Sequence, residues 1–379
     1  MRARCSFLVT VPILTVTALT SLATRGAAVP AWSRSYEIPC TGCHQFPSLQ
    51  LTTLGTEFLR RGHRMEGDKE QKDVTKLMAA HIEWTYATEQ GHSTPFVSPE
   101  FHLHAGGPLS SSFSAYLDAN VNSDFEAIYG QYTNPIGSDG YLTARAGKTI
   151  PVILREYAAG LMASASTPLI ITDATLGQNP FTPTRDSYGV DAAGKWHALF
   201  VQIGAVSGND VPGQALVNQH KDFFASAEVN LSDQPTGVGL YYFHGGYDLL
   251  ADTLGTLAFD RYDRGAVFAN LTRSHLRVAG ALLVGQDHVE GQATEPRISG
   301  FYAQLDALPS APVVPFARFD RATTENVADA ASVNQATIGL SAAMYFTDVT
   351  GGRISLEFSR RDDGTATTNG GAVTLVLAF

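Results

Sequence analysis

The 379-residue sequence has few charged residues, and beyond its N-terminus it has no long apolar run. Charged residues make up 16% of the chain, and the mean hydropathy is −0.03. A helical membrane protein would have a clearly positive mean hydropathy and segments of about 20 apolar residues, so this class is excluded. The net charge of −10 argues against nucleic-acid binding, because positively charged surfaces bind phosphate backbones.

The N-terminus has the pattern of a secretory signal peptide. Two arginines precede an apolar stretch over residues 7–22, and small residues then predict cleavage after Ala23 or Ala28. An uncleaved anchor is the alternative, which the short apolar stretch and Pro12 disfavour. We therefore assign residues 1–28 to a signal peptide and expect export to the periplasm.

Cysteine is scarce: the chain has three, and Cys5 lies in the signal peptide. The other two belong to Cys40-Thr41-Gly42-Cys43-His44, a C-x-x-C-H pattern. In this pattern the two thiols attach c-type haem covalently, and the histidine is the proximal iron ligand. A structural or redox disulfide is the alternative, which the adjacent His44 disfavours. We predict one covalent haem c, bound through Cys40, Cys43 and His44.

Residues 29–75 form the predicted haem segment. Ser48 is expected to cap a helix that begins at Leu49 and stops near Gly62, with Gly55 close to the haem face. One or two short helices are too few to bury a haem. The haem segment must therefore borrow walls from the rest of the chain.

The distal iron ligand has more than one candidate. Met65 follows the predicted helix and would raise the reduction potential through His/Met ligation. His63 is the alternative, which would give bis-histidine ligation, and His81 is a more remote one. An open or otherwise occupied distal position also remains an alternative.

From residue 76 to residue 379 the sequence alternates with a period of two, which is typical of strands. The last strand, over residues 372–379, ends in an aromatic residue, Phe379, as bacterial outer-membrane barrels do. Connections counted back from this end alternate between long and short. We predict an all-β fold: a transmembrane antiparallel β-barrel of about sixteen strands in the bacterial outer membrane, with both termini periplasmic.

Three features of the predicted barrel could contribute to function. The connection over residues 149–186 is long and partly apolar, and it folds either into the lumen or over the outer rim. Arg145 is expected to be a solvated lumen charge, with a haem propionate as its alternative partner. His102 and His104 share a strand face, but two histidines do not suffice to assign a metal site.

The chain resembles the fused monohaem cytochrome–porins of the outer membrane that are studied in iron-oxidising bacteria. The resemblance covers nearly the whole mature chain. It rests on Ile38-Pro39-Cys40-Thr41-Gly42-Cys43-His44, Phe46-Pro47, Leu54-Gly55, Phe58, Gly62, Arg64, residues 144–148 and the aromatic C-terminus. The pattern of this family predicts an aromatic residue such as Tyr at position 63, and His63 departs from it.

The resemblance implies electron transfer across the outer membrane. An extracellular donor, with Fe(II) as one candidate, would reduce the haem, and a periplasmic c-type cytochrome or cupredoxin would accept the electron. Two other functions stay open: a haem-plugged porin for small solutes, and a haem peroxidase-like enzyme with an open distal position.

Overall fold

A computed structural model of the chain describes most of the predicted mature protein. The predicted signal peptide and Ser48 lie outside the described residues. Among the residues that the structure describes, no helix is both long and apolar enough to cross a membrane. The described residues are 30–45, 50–71, 73, 76–90, 96–121, 125–157, 162–172, 181–184, 186–207, 220–231, 236–248, 259–307, 311–326, 331–345 and 351–379.

The N-terminal segment consists of short elements. They are α1 Pro30–Tyr36, α2 Cys40–Cys43, β1 His44–Gln45, β2 Gln50–Leu51 and α3 Thr53–Arg60. The expected helix from Leu49 is wrong, because residues 50–51 pair with residues 44–45 and Thr52 caps the helix instead. The predicted stop is close to the observed one, since α3 ends at Arg60 and Gly62 has a left-handed φ of 77°.

Within the described residues, sixteen antiparallel strands close into one barrel in sequence order, and the last strand pairs with the first. The strands are β3 Met78–Glu89, β4 Phe96–Pro108, β5 Phe113–Asn120, β6 Phe125–Ile136, β7 Gly140–Thr149, β8 Ser187–Trp196, β9 Leu199–Ser207, β10 Lys221–Asn230, β11 Gly237–Asp248, β12 Phe259–Arg273, β13 Leu276–Val289, β14 Arg297–Ala307, β15 Val313–Glu325, β16 Ala331–Tyr345, β17 Gly351–Asp362 and β18 Thr367–Ala378. The predicted all-β barrel of about sixteen strands is confirmed.

The barrel wall has an apolar outer face and a polar inner face. In β15, Phe319 is exposed on the outside, while Arg318 and Asp320 are buried on the inner face. Exposed apolar side chains recur on the outside of neighbouring strands, as Phe301 and Ile338 show. A wall of this kind suits a hydrocarbon environment, because closure pairs every strand and leaves no edge.

The two ends of the barrel differ in the length of their connections. Two-residue turns at 197–198 and 274–275 and a three-residue turn at 137–139 belong to one end, which we call the short-turn end. The longest connection, residues 150–186, belongs to the opposite end. The first barrel strand starts and the last one finishes at the short-turn end, where Ala80 and Phe379 exchange backbone hydrogen bonds.

The N-terminal segment lies inside the barrel at the short-turn end. The Trp32 indole Nε1 donates a hydrogen bond to the Gly106 carbonyl at 3.0 Å. The Gln131 amide donates to the carbonyl of Arg60 at 2.8 Å, and the Thr133 hydroxyl donates to that of Arg61 at 3.2 Å. Inward-facing side chains of β6 thus hold the end of α3 against the wall.

The connection between β7 and β8 folds into the barrel from the opposite end. It contains α4 Val152–Tyr157 and α5 Leu169–Thr172. Ile153 and Ile170 in these helices are at most 1% exposed and belong to the largest apolar cluster, with β11–β14 side chains. The Leu169 amide donates to Asp320 on the inner wall at 3.2 Å. The inward interpretation of this connection is therefore confirmed, and the outer-rim flap is wrong.

Candidate functional site

The C-x-x-C-H motif forms one helical turn followed by an extended residue. Cys40 and Cys43 lie at the two ends of α2, and the His44 amide donates to the Cys40 carbonyl. Pro39 precedes the turn in an extended conformation and accepts a hydrogen bond from the Gly42 amide at 2.7 Å. The turn and the residue after it bring the three predicted haem-binding residues together within five consecutive positions.

Cys40 is buried and Cys43 is half-buried. Burial, followed by the neighbouring Cys40, raises the pKa of Cys43 to about 11. Redox-active C-x-x-C pairs depend on a lowered thiol pKa, because the thiolate is the nucleophile. The environment of Cys43 therefore disfavours a thiol–disulfide exchange function.

Helix α3 is fastened directly to the motif through its N-cap. The Thr52 hydroxyl donates to the Gly42 carbonyl at 2.6 Å and accepts from the Gly55 amide at 3.2 Å. A Cβ at Gly55 would lie 2.1 Å from the Cys43 carbonyl oxygen. Gly55 thus permits the helix to approach the motif backbone, and its closeness to the haem face stays a prediction.

The two main distal candidates occupy different surroundings. His63 is buried, with a φ of 61°, and its ring stacks on Trp32 and on Tyr116 at centroid distances of 4.4 and 4.1 Å, while the Trp32 and Tyr116 rings are 5.9 Å apart. Its Nδ1 lies 3.2 Å from the Tyr129 hydroxyl. Met65 is half-buried and borders a cavity of about 530 Å³ at the short-turn end.

This cavity adjoins the helix that packs on the motif. Leu54 and Phe58 of α3 line it together with Met65, Arg64 and the turn at residues 137–139 through Ser138 and Asp139. Burial lowers the pKa of Arg64. The Arg64 Nη1 atom is buried and has no hydrogen-bond partner among the described residues. The cavity therefore has an apolar part, formed by Leu54, Phe58 and Met65, and a larger part lined by charged residues of both signs.

The N-terminal segment and the inward connection meet at a buried ion cluster. Arg60 donates to both carboxylate oxygens of Glu156 in α4, at 2.7 and 2.8 Å. The Nη2 atom that contacts Glu156 also lies 2.7 Å from Glu228 in β10, and the guanidinium lies 4.3 Å from the centroid of the Phe200 ring. The Arg60 side chain is fully buried. The cluster links the motif segment, the inward connection and the barrel wall.

Arg145 is not the solvated lumen charge that the sequence led us to expect. It is buried, and its Nε donates to Asp191 on the adjacent strand at 2.8 Å. The guanidinium also lies 5.1 Å from the centroid of the Tyr129 ring. This pairing is a wall contact between β7 and β8, and a propionate partner for Arg145 stays a prediction.

A histidine cluster on the inner wall is larger than the sequence indicated. Strand register places His81 of β3 directly opposite His102 of β4. The rings of His81 and His102 stack at 4.2 Å, and those of His81 and His104 at 4.9 Å. His104 also stacks on Tyr116, which contacts His63, so a series of rings connects this cluster to the N-terminal segment. The sequence does not show that His81 lies beside His102, because only the register between β3 and β4 brings the two residues together.

A closed sixteen-stranded antiparallel barrel with a lumen that receives inserted segments has the architecture of a porin. The sequence matches no known family model and no curated protein. Solved structures do resemble it. The loop L8 deletion mutant of OmpT, an outer membrane protein of Vibrio cholerae, has a TM-score of 0.58 at 12% identity, over 80% of this chain and 98% of that one.

Two further porins give the same result. The anion-selective porin from Comamonas acidovorans has a TM-score of 0.57 at 11% identity, over 80% of this chain and 98% of that one. Salmonella typhi OmpF, in complex with daunomycin, has a TM-score of 0.54 at 10% identity, over 80% and 97%. At these identities the likeness shows the fold alone: a porin-type β-barrel.

Proposed function

We propose that this chain is an electron conduit of the bacterial outer membrane, in which one covalent haem c lies inside a plugged porin-type barrel. The observation that carries the proposal is the position of Cys40-Thr41-Gly42-Cys43-His44 in a segment held within the barrel. A lone short domain could not enclose a haem. In this chain the barrel wall would supply the missing contacts.

The residues around the motif fit a haem. Cys40 and Cys43 would hold it through thioether bonds, and His44 would be its proximal ligand. The haem, when bound, would supply one-electron redox chemistry. The adjacent cavity offers Leu54 and Phe58 as apolar walls, and the unsatisfied Arg64 Nη1 suits a carboxylate such as a propionate.

The geometry supports Met65 over His63 as the distal ligand. Met65 borders the cavity next to α3, and its thioether is soft and neutral. The His63 ring packs against Trp32 and Tyr116, and its Nδ1 lies 3.2 Å from the Tyr129 hydroxyl. Ligation by Met65 would place the reduction potential in the higher range of c-type haems.

The orientation of the barrel would separate the two redox partners. In bacterial outer-membrane barrels the short turns face the periplasm. Both the motif segment and Phe379 lie at the short-turn end, so a periplasmic c-type cytochrome or cupredoxin would approach from this side. The extracellular donor, with Fe(II) as a candidate, would approach from the end that carries the long connections.

Transport of small solutes is the second candidate function. The solved structures that resemble this chain are outer-membrane porins and channels, and they favour this function more directly than electron transfer. The inserted segments argue for a closed lumen instead. Between them they contact inward-facing residues around the barrel, from Gly106 of β4 through Glu228 of β10 to Glu357 of β17.

Haem content and conductance, measured on the same preparation, separate the two functions. After co-expression with a c-type maturation system, a pyridine haemochrome assay should give one haem per chain, and a C40A/C43A variant should have none. The wild-type protein in a planar bilayer should conduct far less than an open porin. A haem-free wild-type protein with porin-like conductance would refute the conduit and support solute transport.

A further inference from the structure

The inner wall carries a second group of ligating side chains, distinct from the haem motif. The Nε2 atom of His102 lies 3.4 Å from a carboxylate oxygen of Glu100 and 3.7 Å from one of Glu126. These three ligand atoms all lie within 4.8 Å of one another. Ligands at about 2.0–2.2 Å from a tetrahedral ion are separated by about 3.3–3.6 Å. The observed spacing is close to that of a metal site.

An irregularity in the β5–β6 pairing brings Glu126 into this group. Asp118 pairs with Ala127, but the next residue, Ala119, pairs with Phe125. Glu126 is therefore an extra residue, as in a β-bulge. In an unbroken ladder Glu126 would face away from the lumen, because Ala127 faces inward and side chains alternate. Bulges re-aim side chains in this way, often beside functional sites.

A carboxylate behind His102 sets the orientation of its ring. The His102 Nδ1 lies 3.1 Å from Asp118 Oδ1, and both residues are buried. An ionised carboxylate only accepts hydrogen bonds, so Nδ1 donates to Asp118 and Nε2 faces Glu100 and Glu126, where a metal ion would replace the Nε2 proton. This carboxylate–histidine arrangement is the usual outer support of a metal-bound imidazole.

The neighbouring histidines have other partners. His81 Nδ1 and His104 Nε2 are 2.6 Å apart and share a hydrogen bond, and His104 Nδ1 is 3.1 Å from the Tyr116 hydroxyl. These two rings stack beside His102 rather than surround the same point. We therefore restrict the site to one nitrogen and two carboxylates.

We propose that Glu100, His102 and Glu126 bind a divalent first-row transition-metal ion on the inner wall of the barrel. One imidazole and two carboxylates suit Mn(II), Fe(II), Co(II) or Zn(II), and water would fill the remaining coordination positions. A bound dipositive ion would also offset the repulsion between the two carboxylates. The site lies in β4 and β6, away from Cys40–His44, so binding requires no haem. The proposal thus goes beyond the electron conduit and stands without it.

The test is a titration of the full-length purified protein with Co(II), followed by visible absorption, in metal-free buffer. We expect one Co(II) per chain above background. E126Q should weaken binding at least tenfold, because it removes one of the two carboxylate ligands. The substitution should leave the fold intact, because Glu126 is half-exposed. D118N should weaken binding about 10- to 100-fold without removing a ligand.

The matched control is H288Q. His288 lies on the outer face of β13 beside carboxylates of Asp263 and Glu295, at 3.7 and 2.9 Å. The H288Q variant should bind Co(II) like the wild type. The proposal is overturned if no stoichiometric Co(II) binds, if E126Q binds as tightly as the wild type, or if H288Q abolishes binding. Circular dichroism and haem content of each variant show separately whether the barrel and the conduit are intact.

Discussion

Replacing Arg60 with methionine should release the contact between the motif segment and the inward connection. The substitution keeps a long side chain but leaves Glu156 and Glu228 as two buried carboxylates without their cation. Removing one partner of a buried ion pair costs about 3–5 kcal/mol. The cost should fall mainly on docking of the inserted segments, because the strand ladder of the barrel does not depend on Arg60.

Hydrogen–deuterium exchange measures this loss locally. A factor of ten in an equilibrium constant corresponds to about 1.4 kcal/mol, so amides of α3 and α4 should exchange about two to three and a half orders of magnitude faster in R60M. Amides in the barrel strands should keep their wild-type rates. Conductance in a planar bilayer should rise together with the exchange rate.

Arg61 supplies the matched control. Its side chain is only 14% exposed and lies 4.0 Å from Glu57, but its shorter ion pair, at 3.3 Å, is with Glu66, which is 65% exposed. Exposed ion pairs contribute about 0.2–1 kcal/mol, so R61M should accelerate exchange by less than about tenfold. Equal exchange in R60M and R61M would refute the central role of the Arg60 cluster.

The defect in R60M should also depend on pH. Burial raises the pKa of Glu156, an effect that Arg60 opposes in the wild type. A carboxyl with a raised pKa stabilises the docked state when protonated, and this contribution is lost as the pH rises through that pKa. In R60M, exchange corrected for its intrinsic pH dependence should therefore slow as the pH falls.

Three further substitutions test the haem segment. G55A should lower haem incorporation, because its Cβ would lie 2.1 Å from the Cys43 carbonyl oxygen. G130A is the control and should not lower it, because no atom lies within 4 Å of a Cβ at that position. Equal haem content in the two variants would contradict this account. G62A should destabilise the segment more than G67A, as measured by hydrogen–deuterium exchange of the α3 amides. Both glycines have a positive φ, which costs an L-residue about 1–2 kcal/mol, but only the Cβ at Gly62 would also meet Ser114, at 2.5 Å. M65H should lower the reduction potential of the haem in a redox titration if Met65 is its distal ligand, and an unchanged potential would exclude Met65.

The barrel was predictable because its physics is local. A strand between lipid and lumen must alternate apolar and polar side chains, and turns must interrupt it, so period and spacing together yield the strand number. Leu375 and Leu377 in β18 follow this rule, and so do Arg318 and Phe319 in β15. The same local character explains the correct position of the helix stop near Gly62.

The contacts that build the candidate sites were not predictable because they join distant residues. Ser48 is a reasonable local cap, but Thr52 caps α3 since its hydroxyl reaches the Gly42 carbonyl. Arg60 and Glu156 are 96 positions apart. Glu126 reaches His102 only through an extra residue in β6, a feature that no alternation rule reveals.

The central claim is that a haem within the plugged barrel carries electrons across a closed bilayer. The most direct measurement uses liposomes that contain the reconstituted protein and enclose an oxidised soluble c-type cytochrome, with a membrane-impermeant reductant added outside. We expect the enclosed cytochrome to be reduced with the wild type and to stay oxidised with C40A/C43A. An enclosed cytochrome that stays oxidised with fully haem-loaded wild-type protein would contradict the claim.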